Sequence, residues 1–139
     1  MVATAGPSSA ARIGGYGASL VLDYHDPEWP TRVREASPDR RGVGAAVNAA
    51  PGGAALALQA VADRGRLATI TGDPPAHERG IAVADVYVRA DGAALTALAT
   101  ALEQGLLSVH VAATLPLTDA ASALADAVSG RAGAVVLVP

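Results

Sequence analysis

The sequence predicts an α/β fold in which helices flank a mostly parallel β-sheet. Short apolar segments bounded by turn residues recur along the chain, as buried strands do. Segments with apolar residues at helical spacing lie between several of them. This alternation is typical of right-handed βαβ units on a parallel sheet. With 139 residues, the chain is long enough to form one domain with its own core.

The first half of the chain shows four apolar segments that are each ended by turn residues. These predicted strands are residues 2–5, 20–22, 45–49 and 66–70. Helical spacing of apolar residues predicts three helices between them. The helices are residues 10–16, a segment that Asp26 and Pro27 open, and residues 54–63. Ser8 or Ser9 can cap the first helix, and Gly17 is a natural stop for it.

The second half follows a polar loop at residues 71–80. An alternating pattern then predicts a longer strand at residues 81–89. Leucines in one stripe, with Gly105 as the stop, predict a helix at residues 93–104. The remaining elements are a strand at 107–111, a helix at 120–128, a turn at 130–133 and a final strand at 134–138.

Composition and charge exclude several classes of protein. The net charge of −3 and the pI near 5.5 argue against nucleic-acid binding, and no polybasic patch suggests a membrane surface. Without cysteine, the chain can form neither disulfides nor cysteine-based zinc sites. No apolar run reaches the roughly 18 residues of a membrane helix. We therefore expect a cytoplasmic protein that binds neither nucleic acid nor membrane.

Other local patterns give weaker evidence for a binding or catalytic site. The three histidines are dispersed, and neighbouring residues around His25 point to opposite sides of an extended segment, so no metal site is expected. The glycines at 15 and 17 begin like a dinucleotide fingerprint but precede a strand, which indicates a helix end. Pro51-Gly52-Gly53 lies between a strand and a helix, where a phosphate can bind. A tight turn is the favoured interpretation. Neither a nucleophile elbow nor a Walker-type loop is found.

Six segments then occur in a specific order: VATA at 2–5, VLDY at 21–24, GVGAAVNA at 42–49, GRLATI at 65–70, PLTDAA at 116–121 and GAVVLV at 133–138. Together they resemble the cofactor domain of zinc-independent medium-chain dehydrogenase/reductases, in the quinone oxidoreductase-like branch. The resemblance implies that residues 1–139 form a single, truncated Rossmann-like domain. It lacks the usual first strand and glycine-rich loop. Residues 116–139 resemble the segment that returns to a separate catalytic domain.

The missing first strand has a structural consequence, because it is central in the usual strand order. Either the strands at Val2 and Ala45 pair directly, or another chain fills the gap between them.

The resemblance also implies a function. We expect an NADPH-dependent oxidoreductase that transfers hydride to a quinone, enone or related carbonyl compound. No catalytic residue can be named, because the substrate-facing domain is not in this sequence. The strand at 81–89 would pair with its twin in a homodimer. The alternative is a non-catalytic module that dimerises or binds a nucleotide without turnover.

The end of the first strand carries the clearest candidates for cofactor binding. Ser8, Ser9 and Arg12 offer hydroxyls and a guanidinium, and no carboxylate stands there to repel a 2′-phosphate. This favours NADPH over NADH. The alternative is that Ser9 caps the helix and Arg12 is solvated.

Four further candidates follow later strands. By resemblance, Tyr24 lies at the adenosine-phosphate side, Asn48 faces the ribose, and the backbone at Thr71 and Gly72 approaches the nicotinamide. Each has a structural alternative: Tyr24 packs on Trp29, Asn48 terminates its strand with a side-chain turn, and Thr71-Gly72 is a surface loop.

Overall fold

The computed structural model describes residues 1–128 and 133–139, so the turn expected at 130–133 lies largely outside the described residues. The chain divides into two compact units, Met1–Val88 and Arg89–Pro139. Within the described ranges, no helix combines the length and apolar character needed to cross a membrane.

The first unit contains five strands and three helices. They are β1 (Val2–Thr4), α1 (Ala10–Gly15), β2 (Leu20–Leu22), α2 (Trp29–Ala36), β3 (Val43–Asn48), α3 (Ala54–Ala60), β4 (Val61–Thr69) and β5 (Ala82–Asp85). β1 pairs with β2, and β3, β4 and β5 form a second sheet in that order. Every one of these pairs is parallel. The predicted parallel α/β fold is therefore confirmed.

The predicted sheet is nevertheless divided at one place. Among the described residues, β1 and β3 do not pair, so the first of the two alternatives, direct pairing of these strands, is not observed. The observed pairs correspond to positions 3-2 and 4-5-6 of the doubly wound strand order 3-2-1-4-5-6. No strand of the part of the chain that the structure describes pairs with both β1 and β3.

One face of the three-stranded sheet holds the main core of the unit. Helix α3 packs on β3 and β4, and α2 packs on α3. The buried cluster consists of Ala57, Leu58, Val61, Leu67 and Ile81. Trp29 packs against this cluster, and the Tyr24 ring stacks on that of His25.

The boundary between α3 and β4 differs from the expected one. The helix ends at Ala60, not at residue 63, and β4 begins at Val61. Two arginines bind the carbonyl groups at this end: Arg79 donates to Leu58 at 2.6 Å and to Val61 at 2.8 Å. Arg34 donates to the carbonyl of Gln59 at 3.1 Å. These tertiary hydrogen bonds replace those of a further helical turn.

The second unit contains α4 (Gly92–Glu103), β6 (Val111–Pro116), a short 3₁₀ turn (Leu117–Asp119), α5 (Ala120–Val128) and β7 (Ala134–Val138). The Asp91 carboxylate accepts a hydrogen bond from the Ala94 amide at 2.9 Å and so caps α4. β6 and β7 are parallel. The expected leucine stripe at positions 95, 98 and 102 is present, and all three side chains are exposed.

Two strands of the second half also differ from the expected ranges. β5 ends at Asp85, not at residue 89, because its partner β4 ends at Thr69 and the Val86 amide makes the last bond to the Thr69 carbonyl at 2.8 Å. The strand expected at 107–111 lies instead at Val111–Pro116, where it pairs with β7. The amides of Leu106 and Leu107 bond to the Ala101 carbonyl and close α4.

Candidate functional site

Polar side chains line the carboxyl end of the three-stranded sheet. Asn48 of β3, Thr69 of β4 and Asp85 of β5 are register partners across the three strands. Asn48 is 6% exposed and Thr69 is fully buried. Ligands of open α/β sheets bind outside the carboxyl ends of strands, so this row lies where a ligand is expected.

The side-chain amide of Asn48 connects this row of residues to the loops that follow β3 and β4. Its Nδ2 donates to the hydroxyl of Thr69 at 3.2 Å, to that of Thr71 at 3.0 Å and to the Ala50 carbonyl at 3.0 Å. The Thr69 hydroxyl donates to Asp73 Oδ1 at 3.2 Å, and the Thr71 hydroxyl donates to the same oxygen. Asn48 therefore does more than end its strand, because it fixes the loop that follows β4.

Asp73 receives these bonds as a carboxylate. The hydrogen bond from the Thr71 hydroxyl is the main cause that holds its pKa below the usual value, and bonds from Thr69 and from the Gly52 amide act in the same direction. Burial opposes this shift. The carboxylate is thus retained in its charged form by donors from two loops.

The Asp73 carboxylate also binds the glycine turn that follows β3. Asp73 Oδ2 accepts a hydrogen bond from the Gly52 amide at 2.8 Å. Gly52 has a φ of +74°, as a tight turn requires. The favoured interpretation as a turn is supported, because the protein's own anion occupies the amide that a phosphate would need.

Asp85 is a residue that the sequence analysis missed. Its Oδ1 is buried and has no hydrogen-bond partner among the described residues. The predicted strand 81–89 placed this carboxylate in mid-strand, whereas it is the last residue of β5. An acidic residue at the end of a strand was the available signal in the sequence. The end of β5 is set by the end of its partner β4, so the sequence pattern alone did not show it.

A second polar group lies at the carboxyl end of β1 and β2. A Cβ added to Gly6 would lie 3.3 Å from Tyr24 Cε1 and 3.5 Å from His25 Cε1. The Tyr24 and His25 rings stack with centroids 4.0 Å apart. His25 Nδ1 is 2.7 Å from Asp23 Oδ1. The backbone and side-chain hydrogen bonds of His25 hold the pKa of Asp23 below its usual value. The structure thus brings Tyr24 to the end of β1 and adds His25, which the sequence analysis had considered only as a metal ligand.

The three candidates in the first turn and helix are placed as follows. Ser9 donates its hydroxyl to the Gly6 carbonyl at 3.2 Å, and no side-chain cap of α1 is formed. Ser8 is exposed, and Arg12 is half-buried in the last turn of α1. Among the described residues, Arg12 makes no ion pair. The capping role for Ser9 is therefore not observed.

Comparison with known families decides the identity of the domain. A family model described as zinc-binding dehydrogenase matches residues 16–137. The chain belongs to this family. A search of curated proteins finds no significant match to this zinc-binding dehydrogenase domain.

Solved structures give the same assignment. An NAD-dependent alcohol dehydrogenase is 25% identical with a TM-score of 0.83, over 99% of this chain and 43% of that one. A mycobacterial protein complexed with NADPH is 25% identical with a TM-score of 0.72, over 99% of this chain and 48% of that one. A Pseudomonas syringae quinone oxidoreductase is 21% identical with a TM-score of 0.73, over 99% and 48% of the chains. The zinc-binding dehydrogenase domain thus spans less than half of each. The resemblance to medium-chain dehydrogenase/reductases is confirmed.

The residues of this domain do not fit a zinc ion, despite the description of the family. The sequence has no cysteine. In the part of the chain that the structure describes, no group of three or more His, Asp or Glu side chains could hold a metal. Zinc prefers four such ligands, or three and a water. We therefore derive no chemistry from zinc here.

Proposed function

We propose that this domain binds and orients NADPH in an oxidoreductase that transfers hydride to a quinone, enone or related carbonyl compound. Membership of the dehydrogenase family supports an oxidoreductase. The observation that carries the choice of cofactor is the end of β1, where hydroxyls and Arg12 follow Gly6 with no carboxylate in the turn. The proposal includes a cytoplasmic location, which the cysteine-free composition favours.

The two polar groups at the strand ends have different roles in this proposal. Ser8, Ser9 and Arg12 follow β1 in the chain and Tyr24 lies beside Gly6, and these four residues would hold the 2′-phosphate and ribose side. Asn48 and the loop at Thr71-Gly72 would face the nicotinamide side, with the loop fixed by the Asp73 network. Bound NADPH would supply the hydride, and the protein would supply binding and orientation.

The preference for NADPH gives a direct test. We expect the Arg12→Ala variant to bind NADPH about 10- to 100-fold more weakly, because hydrogen bonds to charged groups contribute about 1.5–3 kcal/mol. NADH lacks the 2′-phosphate, so its affinity should change little. Fluorescence titration of the chain with both cofactors measures the two effects separately.

The matched control is Arg41→Ala, because Arg41 is an arginine outside the proposed phosphate contact. It lines a cavity of about 400 Å³ together with Arg64, near the beginning of β4. This variant should leave both affinities unchanged. Equal weakening of NADPH and NADH by Arg12→Ala would contradict the assigned phosphate contact. A lack of NADPH binding at millimolar concentration would show that the chain alone does not hold the cofactor.

A second candidate function is a dimerising module without turnover. The observation in its favour is the edge of the three-stranded sheet, where β5 has β4 on one side only. Beyond β5, Tyr87 is exposed and Val88 is 100% exposed. Such an edge invites pairing with a second copy across a two-fold axis, as the resemblance implied for residues 81–89.

We expect the chain to sediment as a homodimer and Val88→Lys to shift it towards monomer, because a lysine in the segment that would continue the β5 edge opposes strand pairing. Analytical ultracentrifugation over a concentration series measures this shift. Leu106→Lys is the control, since Leu106 is an exposed apolar residue of the second unit. A wild-type chain that remains monomeric at high concentration would contradict dimerisation through this edge.

A further inference from the structure

A cavity of about 400 Å³ lies at the beginning of β4, at the other end of this strand from Thr69 and the candidate cofactor site. Its walls are formed by Arg34, Arg41, Ala62, Asp63 and Arg64, and we call it the arginine cavity. Sites for small molecules typically have volumes of about 300–1,000 Å³. The arginine cavity is therefore large enough for a small metabolite.

The arginine cavity has an excess of positive charge in a protein that is acidic as a whole. The chain carries a net charge of −3, and all ten of its basic residues are arginines. Three of these arginines line the cavity, against one carboxylate, that of Asp63. Arg79 donates to Asp63 Oδ1 at 3.2 Å, so this carboxylate already has a cationic partner. An anionic ligand would balance the remaining charge.

Arg34 is the arginine that the fold holds in place. It is half-buried, and its Nη1 donates to the carbonyls of Gln59 at 3.1 Å and Val61 at 3.2 Å. Arg79 donates to the same Val61 carbonyl at 2.8 Å, which brings two guanidinium charges to one oxygen.

One edge of the Arg34 guanidinium remains available for a ligand. Among the described residues, its Nε and Nη2 groups make no hydrogen bond, and Arg34 makes no ion pair. The edge formed by Nε and Nη2 presents two parallel N–H groups. Such a fork binds a phosphate or carboxylate through two charge-assisted hydrogen bonds.

Arg64 reaches the arginine cavity from an irregular part of β4. The register of β4 against β3 shifts between Val43 and Ala45, and Arg64 lies in the bulge that results. Its φ of +61° is a conformation that favours glycine. Among the described residues, Arg64 makes no ion pair. An arginine thus occupies a backbone position that suits glycine better, and residues held in such conformations are found preferentially at functional sites.

We propose that the arginine cavity binds a small molecule through a phosphate or diphosphate group. Arg34 binds the phosphate with its Nε–Nη2 edge, and Arg41 and Arg64 bind the remaining oxygens. A phosphate monoester carries a charge of about −1.5 to −2 and three acceptor oxygens, whereas a carboxylate carries one charge and two oxygens. The phosphate therefore matches three guanidinium groups better. This ligand is separate from the proposed NADPH, because the two sites lie at opposite ends of β4.

Isothermal titration calorimetry of the full chain with inorganic pyrophosphate tests the proposal. We expect Arg64→Gly to weaken the binding of pyrophosphate at least about tenfold, as the loss of a charge-assisted hydrogen bond does. Because glycine suits the backbone at this position, urea unfolding without pyrophosphate should show that this variant is at least as stable as the wild type. The pair of measurements separates a binding role of the side chain from a structural one.

Arg32→Ala is the matched control, because Arg32 lies on the same helix as Arg34 and pairs with Asp26 at 3.0 Å. It removes the same charge from outside the arginine cavity, and screening by salt should limit its effect on pyrophosphate affinity to about twofold. Arg12→Ala tests binding at the end of β1 and should also have little effect. Arg64→Gly should leave the NADPH titration unchanged.

Four results would overturn the proposal. The first is no binding of pyrophosphate by the wild type at millimolar concentration, and the second is equal weakening by Arg64→Gly and Arg32→Ala. The third is lower stability of Arg64→Gly with unchanged pyrophosphate affinity, which would make the side chain structural. The fourth is loss of binding in Arg12→Ala alone, which would place pyrophosphate at the proposed cofactor site. Failure of NADPH binding would leave the pyrophosphate result unaffected, so the two proposals fail separately.

Discussion

The Asn48→Asp variant is expected to be about 2–3 kcal/mol less stable than the wild type, within the range for buried polar groups left without partners. The substitution keeps the shape of the side chain but removes the Nδ2 donor. That donor serves the hydroxyls of Thr69 and Thr71, both of which donate onwards to Asp73. A second carboxylate would face acceptor oxygens and the charge of Asp73. Urea unfolding of the full chain measures the difference.

Asn48→Ala is the matched comparison. It leaves a small space, but the two hydroxyls can still bond to each other at 2.8 Å and to Asp73. We therefore expect a smaller loss than for Asn48→Asp, about 1–2 kcal/mol. If Asn48→Asp proved the milder change, the donor role of the amide would be wrong and the residue would serve only to fill space.

The Leu67→Ala variant is expected to lose about 2–5 kcal/mol of stability, as large-to-small substitutions in cores do. Leu67 is 1% exposed on β4 and packs in the cluster with Leu58 and Ile81. This cluster joins α3 to the three-stranded sheet, so a cavity there loosens the support of Asn48 as well. Denaturant unfolding gives the free energy, and near-ultraviolet circular dichroism of Trp29 reports the packing.

Val47→Ala provides the control on the opposite face of the same sheet. Because Val47 is exposed, this change should stay within about 0.5 kcal/mol. Loss of similar size from Val47→Ala and Leu67→Ala would show that the open face is covered in solution.

The sequence was sufficient for most elements because their signals are local. The strand at Leu20–Leu22, the helix at Ala120–Val128 and the strand at Ala134–Val138 have the expected bounds. Apolar runs, glycine stops and the ordered family segments carry that information. The boundaries that were wrong depend on distant residues. The end of α3 depends on Arg79, which binds carbonyl groups 18 and 21 residues before it in the sequence. The end of β5 depends on β4, because β5 stops where β4 no longer offers a partner.

The residues of the candidate site also fall into two groups: those with a local sequence signal and those that depend on distant contacts. Asn48, Thr71 and Tyr24 could be predicted as candidates because they lie at or after the ends of apolar strands, and strand ends mark ligand sites in open α/β sheets. His25 and Asp85 were missed, since their importance depends on the ring stacked near Gly6 and on the length of a neighbouring strand. The glycine turn at residue 52 could be judged only when Asp73, 21 residues away, was seen to bind it.

The sequence by itself determined the class of fold, the family resemblance and the absence of cysteine chemistry. These follow from the composition of the chain and from the local spacing of its apolar residues. Only the tertiary structure decided that β1 and β3 remain apart and that one face of the sheet stays open. Strand pairing is a contact between segments distant in sequence, and each edge is specified by its alternating backbone groups, not by a local motif.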